Sequence, residues 1–137
     1  MRHWLVKSEP SAYSWEDMVR DRRTSWTGVR NFQAANNLKA MAAGDRAFFY
    51  HSNEGKAIMG VVEIAREAYP DPSDKTGRFV AVDVKPLHPA KNPVTLAAIK
   101  AEPALKSLAL LRQSRLSVSP VEAPEWAILS AMAGLKS

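Results

Sequence analysis

The fold is decided by residues 47–64, which read AFFYHSNEGKAIMGVVEI. The aromatic run at 47–51 and the β-branched run at 57–64 both favour strands, and turn-forming residues lie between them at 52–55. Two strand-forming runs joined by a short turn predict a β-hairpin.

The chain before this hairpin predicts one strand, two helices and a loop. Alternation in residues 3–7 is typical of a strand, and Ser14 followed by Asp17 three residues later is typical of a helix N-terminus. The expected elements are a strand at 3–7, a helix from 14 to about 20, an ordered loop at 24–28 and a helix at 31–41.

The chain after the hairpin predicts short elements separated by prolines. They are a surface loop at 69–77, a strand at 79–84, a proline-rich connection, helices at 96–100 and 103–111, a strand at 116–119 and a last helix from Pro124. Because hairpin-type links join the middle strands, the regular strand-helix alternation of a parallel sheet is excluded. We expect an α+β domain built around a small curved sheet or open barrel.

Length and composition favour one folded domain. The chain has 137 residues, of which 46% are hydrophobic and 24% charged, so we expect a single domain spanning residues 1–137 rather than a disordered chain. No apolar stretch approaches the roughly 20 residues of a membrane span, so we expect no membrane association and a cytoplasmic location.

Residue content excludes several kinds of site. Because the chain has no cysteine, disulfides, thiolate nucleophiles and cysteine-ligated zinc are excluded. The histidines His3, His51 and His88 are too far apart in sequence for a helical zinc motif, and glycine-rich phosphate loops are absent. We therefore expect no cofactor and no metal site.

The net charge of +5 favours an anionic partner through long-range attraction. Basic residues are spread along the chain and form no tail, so any binding surface must be made by folding. If Lys7, Arg30, Arg112 and Arg115 converge, they would hold phosphates and make binding salt-dependent.

The four tryptophans have different expected roles. Trp4, Trp15 and Trp126 fit strand or helix periods and are expected in the core. Trp26 lies among turn residues outside any amphipathic pattern, so it either covers the core or forms an exposed platform for stacking on a nucleobase.

The predicted strand end at 50–53 carries a phenol, an imidazole, a hydroxyl and an amide in succession. Such groups can read the hydrogen-bonding edge of a base. His51 can alternatively satisfy the turn or serve as a general base. The residues alone leave these three roles open.

Six blocks of sequence, in order, resemble the EVE domain, which is similar to the PUA and YTH domains. They are WLVKSEP at 4–10, WTGVRNFQA at 26–34, FFYHSN at 48–53, EAYPD at 67–71, VDV at 82–84 and LLRQSRLSV at 110–118. The resemblance covers nearly the whole chain. It implies a PUA-like open β-barrel of about five to six mixed strands with flanking short helices.

The resemblance also implies a function. Proteins of this family are associated with recognising modified bases, particularly modified cytosine in DNA, by holding a flipped base in an aromatic-walled pocket. The implied activity is binding without catalysis, and the implied partner is nucleic acid with a modified base, DNA in preference to RNA. We expect the chain to act as a monomer.

Site roles follow from the same resemblance, residue by residue. Trp26 and Tyr50 are the implied walls of the base pocket. The implied readers of the base edge are Ser8, Asn31, His51, Ser52 and Ser117. The implied contacts to phosphate or backbone are Lys7, Arg30 and Arg115.

Two other functions stay open: an adaptor that holds a free nucleoside or another small molecule, and an enzyme acting on a nucleotide or RNA with His51 as general base. The sequence also departs from the family pattern, with Thr27 where Asp is frequent, Phe32 where Tyr is frequent and Phe79 where Trp is frequent. If position 27 reads an amino group on the base, the loss of a carboxylate there changes the base specificity.

Overall fold

A computed structural model describes residues 1–135, which form six strands and five short helices. The strands are β1 (His3–Ser8), β2 (Thr24–Trp26), β3 (Arg46–His51), β4 (Ala57–Pro70), β5 (Val80–Thr95) and β6 (Val118–Val121). The helices are α1 (Trp15–Asp21), α2 (Phe32–Ala40), α3 (Leu96–Ala101), α4 (Ala109–Arg112) and α5 (Ala123–Met132), with a 3₁₀ turn at Pro103–Leu105.

One mixed sheet contains all six strands, in the order β2-β5-β4-β3-β1-β6. The predicted hairpin is confirmed, since β3 and β4 pair in antiparallel fashion. Strand β1 runs parallel to β3, and the other neighbouring pairs are antiparallel. Within residues 1–135 the edge strands β2 and β6 do not pair with each other, so the sheet is not closed. The predicted α+β class with an open, mixed sheet is confirmed.

Strand β5 is much longer than predicted and runs through the segment expected to be a proline-rich connection. Its partner β2 pairs with Val82 to Val84, so in the part of the chain that the structure describes one side of the later part of β5 has no neighbouring strand. Proline is tolerated on such an edge because its missing N–H leaves no ladder bond broken. The pairing of β5 with β4 also shifts register repeatedly, which accommodates Pro86 and Pro89.

Strand β2 replaces the loop predicted at 24–28. Its three residues pair with β5, and the Ser25 hydroxyl donates a hydrogen bond to Asp83 at 3.0 Å. A strand of three residues is too short to show alternation, so the sequence pattern could not reveal it. This strand carries Trp26 at its end.

The first helix begins after its predicted cap, Ser14, and the second begins one residue later than predicted, with Asn31 as its cap. The Ser14 hydroxyl accepts a hydrogen bond from the Asp17 N–H at 3.1 Å, and the Asn31 side chain accepts one from the Ala34 N–H at 2.9 Å. The predicted helix at 103–111 is wrong, because a 3₁₀ turn and α4 stand in its place. Leu108 between them has a non-helical ψ of 132° and is fully buried, so the chain leaves the helical conformation where this side chain packs into the core.

The sheet separates two hydrophobic clusters, because successive residues of a strand face opposite sides. In β3, Phe49 belongs to the cluster that contains Trp26, whereas Tyr50 belongs to the other cluster. The three tryptophans predicted for the core are buried, as expected: Trp4, Trp15 and Trp126.

None of the helices in residues 1–135 combines the length and the apolar character that crossing a bilayer requires.

Candidate nucleic-acid interface

A cavity of about 480 Å³ opens at one end of the sheet, beside Trp26. We call it the Trp26 cavity. Three parts of the chain form it: the end of β1 with the segment that follows, β2 with the loop that leads to α2, and the residue before β6. Its lining consists of Lys7, Ser8, Glu9, Ala12, Tyr13, Thr24, Ser25, Trp26, Thr27, Gly28, Val29, Arg30 and Ser117.

Trp26 forms the base of this cavity. The side chain is 9% exposed and its ring packs edge-on against Phe49, with 5.7 Å between ring centroids and an angle of 84° between planes. The two alternatives for Trp26 are therefore resolved: the ring covers the core, and an exposed platform is excluded. Trp26 is nevertheless one of the residues that line the cavity.

A second aromatic residue in the lining is Tyr13, which sequence reasoning missed. It is partly buried against the same cluster as Trp26, and its hydroxyl donates a hydrogen bond to Asp21 at 2.9 Å. Burial and this bond to a carboxylate raise the pKa of the phenol, so it stays protonated. Tyr13 follows no strand or helix period, and its position after Pro10 in a polar cluster was the only available signal.

The loop between β2 and α2 is held in place by Asp71, a residue that sequence reasoning assigned to a surface loop. The Asp71 side chain is fully buried. One carboxylate oxygen accepts hydrogen bonds from the Gly28 N–H at 2.8 Å and from Arg30 at 3.0 Å. The other accepts from the Ser73 N–H at 2.7 Å and the Ser73 hydroxyl at 2.6 Å. Although burial opposes ionisation, these donors lower the pKa of Asp71 to about 2.

Because Asp71 binds Gly28 and Arg30, it sets the wall of the Trp26 cavity. Gly28 has a φ of +83°, a conformation that glycine adopts without strain. The ion pair leaves Arg30 partly neutralised, and its second terminal nitrogen donates to the Ser73 hydroxyl at 3.0 Å. The cavity wall is thus tied to the segment after β4 by a charged, buried contact.

The opposite wall carries the polar residues of β1 and of the segment before β6. The Ser8 hydroxyl donates its proton to the Tyr13 carbonyl, which leaves its lone pairs as acceptors. The Lys7 ammonium donates to the Ser114 carbonyl at 2.7 Å, so two of its three donors stay available, and burial lowers its pKa. The Lys7 backbone N–H donates to the Ser117 carbonyl at 2.9 Å, which fixes Ser117 beside the cavity.

Two smaller hollows adjoin the cavity. The Tyr50 hollow, of about 170 Å³, is lined by Lys7, Tyr50, Ser52, Asn53, Lys56, Leu96, Leu110 and Ser114. The arginine hollow, of about 380 Å³, is lined by Asn31, Gln33, Arg112, Gln113, Ser114, Arg115 and Leu116. Lys7 lines both the cavity and the Tyr50 hollow, and Ser114 lines both hollows, so the Tyr50 hollow is a neighbour of each of the other two concavities.

The structure brings together half of the site residues that the resemblance implied. Lys7, Ser8, Trp26, Arg30 and Ser117 line the Trp26 cavity. Tyr50 and Ser52 line the Tyr50 hollow, and Asn31 and Arg115 line the arginine hollow. Trp26 and Tyr50 were expected to wall one pocket, but Tyr50 does not line the Trp26 cavity, because its ring packs in the other hydrophobic cluster.

His51 is not among the residues that line the three concavities, although it pairs with Ser8 of the cavity lining. Its Nε2 accepts a hydrogen bond from the Trp15 N–H at 3.0 Å, at the start of α1. Burial lowers the pKa of His51, against a weaker opposing effect of Glu16. The neutral ring therefore accepts a hydrogen bond from a backbone N–H at the N-terminus of α1. Of the three roles that the sequence left open, this contact corresponds to the structural one, in which His51 satisfies a backbone group.

Within residues 1–135, no group of three or more His, Asp or Glu side chains is arranged to hold a metal ion.

Comparison with known proteins adds family evidence. A model of the EVE domain matches residues 2–132. Thymocyte nuclear protein 1 of Gallus gallus is 35% identical over an alignment of 158 residues, which covers 90% of this chain. The chain spans 65% of the length of that relative.

Two solved structures are similar over nearly the whole chain. The NMR structure of Rpa0253 from Rhodopseudomonas palustris has 57% sequence identity and a TM-score of 0.93, with 98% of this chain and 94% of that chain covered. The crystal structure of human THYN1 in complex with DNA containing 5-methylcytosine has 34% identity and a TM-score of 0.91, with 100% of both chains covered.

Asp71→Asn is expected to lower the free energy of unfolding by roughly 1–3 kcal/mol, because an amide nitrogen then faces donors on Arg30 or Ser73. Urea denaturation measures this change, and hydrogen exchange should show faster exchange of the Gly28 amide. Glu54→Gln is the matched control, since it removes one carboxylate from an exposed turn residue. Equal stability of the two variants would contradict the role assigned to Asp71.

His51→Gln is expected to weaken the pH dependence of stability. Because the folded-state pKa of His51 is lowered, the unfolded chain binds a proton first as the pH falls below the ordinary value of about 6.5, and stability is lost. Glutamine keeps an acceptor for the Trp15 N–H but does not titrate. Thermal unfolding between about pH 8 and about pH 5 should show a smaller decrease in Tm for His51→Gln than for the wild type. His88→Gln, at an exposed histidine, is the control, and an unchanged decrease in His51→Gln would contradict the assignment.

Proposed function

Since the chain belongs to the EVE domain family, we propose that it binds nucleic acid and recognises a modified nucleobase without catalysing a reaction. The observation that carries the proposal is the Trp26 cavity. Its volume of about 480 Å³ lies within the roughly 300–1,000 Å³ of small-ligand pockets. It combines aromatic surface, hydroxyl groups and adjacent cations, which are the groups that a flipped nucleotide requires.

The base enters the cavity after leaving its stack. Extrusion costs a few kcal/mol, and stacking on an aromatic side chain returns roughly 1–3 kcal/mol. Because most of the Trp26 ring is covered, this indole alone offers limited stacking area. We therefore assign the second aromatic contact to Tyr13, which lines the same cavity, rather than to Tyr50.

The polar lining supplies the reading of the base edge. The Ser8 hydroxyl uses its hydrogen in a hydrogen bond to the Tyr13 carbonyl. Its oxygen therefore accepts a hydrogen bond from an exocyclic amino group, such as the N4 amino group of cytosine. Thr27 and Ser117 line the same cavity and offer further hydroxyl groups. The DNA complex of human THYN1 supports modified cytosine in DNA as the ligand of this chain.

Selectivity must come mainly from these polar groups. Burial of one methyl group contributes only about 0.8 kcal/mol, which is a few-fold preference. A stronger preference needs a hydrogen bond that the unmodified base cannot make or a clash with it. Thr27, where the family often has Asp, is the position at which we expect this chain to differ from its relatives.

Phosphate contacts are assigned to Lys7 and Arg115. Lys7 lies between the cavity and the Tyr50 hollow with two free donors, and Arg115 is exposed in the arginine hollow. Arg30 is less suited to a phosphate, because Asp71 already pairs with its guanidinium. Its role in the proposal is to shape the cavity wall.

A second candidate is the binding of a free nucleoside, since the cavity volume alone also suits one. Tight nucleoside binding with no gain from attached nucleotides would favour it. An enzyme with His51 as general base has less support, because the acceptor nitrogen of His51 is occupied by the Trp15 N–H.

Trp26→Phe is expected to weaken binding about threefold or more, because the smaller ring gives less stacking area. The alanine variant is unsuitable, since truncating a buried tryptophan costs roughly 3–5 kcal/mol of stability. Fluorescence anisotropy with a labelled oligonucleotide carrying one 5-methylcytosine measures the affinity. Trp126→Phe is the matched control, because Trp126 is buried in the other cluster. Equal affinities of the two variants would remove Trp26 from the site.

Arg115→Ala is expected to lower the affinity for all oligonucleotides by a similar factor. It should also reduce the slope of log affinity against log salt concentration by about one. Titrations at several salt concentrations, with modified and unmodified oligonucleotides, measure both effects. Lys91→Ala, at an exposed cation beside the end of α5, is the control. A slope equal to that of the control would exclude a phosphate contact at Arg115.

A further inference from the structure

Phe32, the first residue of α2, has an exposed aromatic ring. The side chain is 61% exposed, whereas most large hydrophobic residues between positions 1 and 135 are buried. One side of the ring stacks on Phe79, with 5.0 Å between centroids and 27° between planes. The exposed part of the ring serves no packing role within the described chain, and its exposure costs free energy in water.

The partner ring of Phe32 is held firmly. The Phe79 N–H donates to Asp74 at 2.8 Å, and the Phe79 carbonyl accepts from the Asp71 N–H at 3.1 Å. The Arg30 guanidinium carbon lies 5.4 Å from the centroid of the Phe79 ring. Phe32 therefore lies on a fixed support that is connected to the wall of the Trp26 cavity through Arg30 and Asp71.

The residues next to Phe32 in sequence line two of the concavities. Arg30 lines the Trp26 cavity, and Asn31 and Gln33 line the arginine hollow together with Arg115. An aromatic ring beside a base cavity and a cationic hollow has the surroundings of a stacking site for single bases, which combine aromatic faces with positive charge.

Extrusion of a base exposes the face of its neighbour in the nucleic acid, and this lost stacking is part of the cost of extrusion. A solvent-facing aromatic ring that packs beside Arg30 of the cavity wall, through Phe79, can restore that contact. Resting on the function proposed above, we propose that Phe32 stacks on the nucleobase adjacent to the extruded one. The ligand is then an oligonucleotide and not a free nucleoside, because the protein contacts two neighbouring bases.

The test compares one variant with two ligands. Phe32→Ala should weaken binding of an oligonucleotide with a single 5-methylcytosine about fivefold or more, since stacking on one base is removed. Its affinity for free 5-methyldeoxycytidine should stay unchanged, because that ligand has no neighbouring base. Phe32→Trp should restore oligonucleotide binding. Val19→Ala is the matched control, because Val19 is also exposed, at 49%, but lines a separate groove with Trp15 and Pro86.

A second measurement reports the stacking directly. 2-Aminopurine placed next to the modified base should be quenched on binding to the wild type and not on binding to Phe32→Ala. The proposal is overturned if Phe32→Ala lowers the affinity for the oligonucleotide and for the free nucleoside equally, because this result indicates a structural effect on the cavity. It is also overturned if Phe32→Ala changes neither the affinity nor the quenching. Failure of the proposed function looks different, because then the wild type binds no modified oligonucleotide and Trp26→Phe changes nothing.

Discussion

The buried carboxylate of Asp71 is the contact on which the candidate site depends. A charge removed from water is tolerated only when donors surround it, and here four hydrogen bonds from Gly28, Arg30 and Ser73 do so. Those bonds join the loop after β2 to the segment after β4, two parts of the chain that are far apart in sequence. One wall of the Trp26 cavity and the support of Phe32 are attached to this contact, so both are held in place by interactions within the chain. Such preorganisation reduces the ordering cost of binding.

The site divides its tasks among the strand ends that meet at one end of the sheet. Trp26 and Tyr13 line the cavity, the Ser8 hydroxyl donates to the Tyr13 carbonyl and keeps its acceptor sites, and Lys7 lines both the cavity and the Tyr50 hollow. Cations differ in availability: Arg30 is paired with a carboxylate, whereas Arg115 is exposed. Net charge alone could not distinguish these two arginines, because pairing is a property of the folded chain.

Some errors about the site had signals in the sequence and others did not. Tyr50 follows Phe49 in a strand, so alternation places these two rings on opposite faces, but only the folded structure shows that Trp26 packs on the face of Phe49. The pairing of Asp71 with Gly28 and Arg30 had no such signal, because the residues lie about 40 positions apart and no local pattern links them. The same holds for His51, whose partner is a backbone N–H of a distant helix.

The sequence by itself determined the class of the fold and the positions of its clearest elements. The hairpin, the capped starts of α1 and α2 and the burial of Trp4, Trp15 and Trp126 follow from local turn chemistry, capping and hydrophobic period, which act between residues close in the chain. Only the tertiary structure decided that three residues at 24–26 form an edge strand, that β5 continues through its prolines and which side chains share the Trp26 cavity. These features depend on strand pairing and on the burial of charge between distant segments, and such contacts form only when the whole chain is folded.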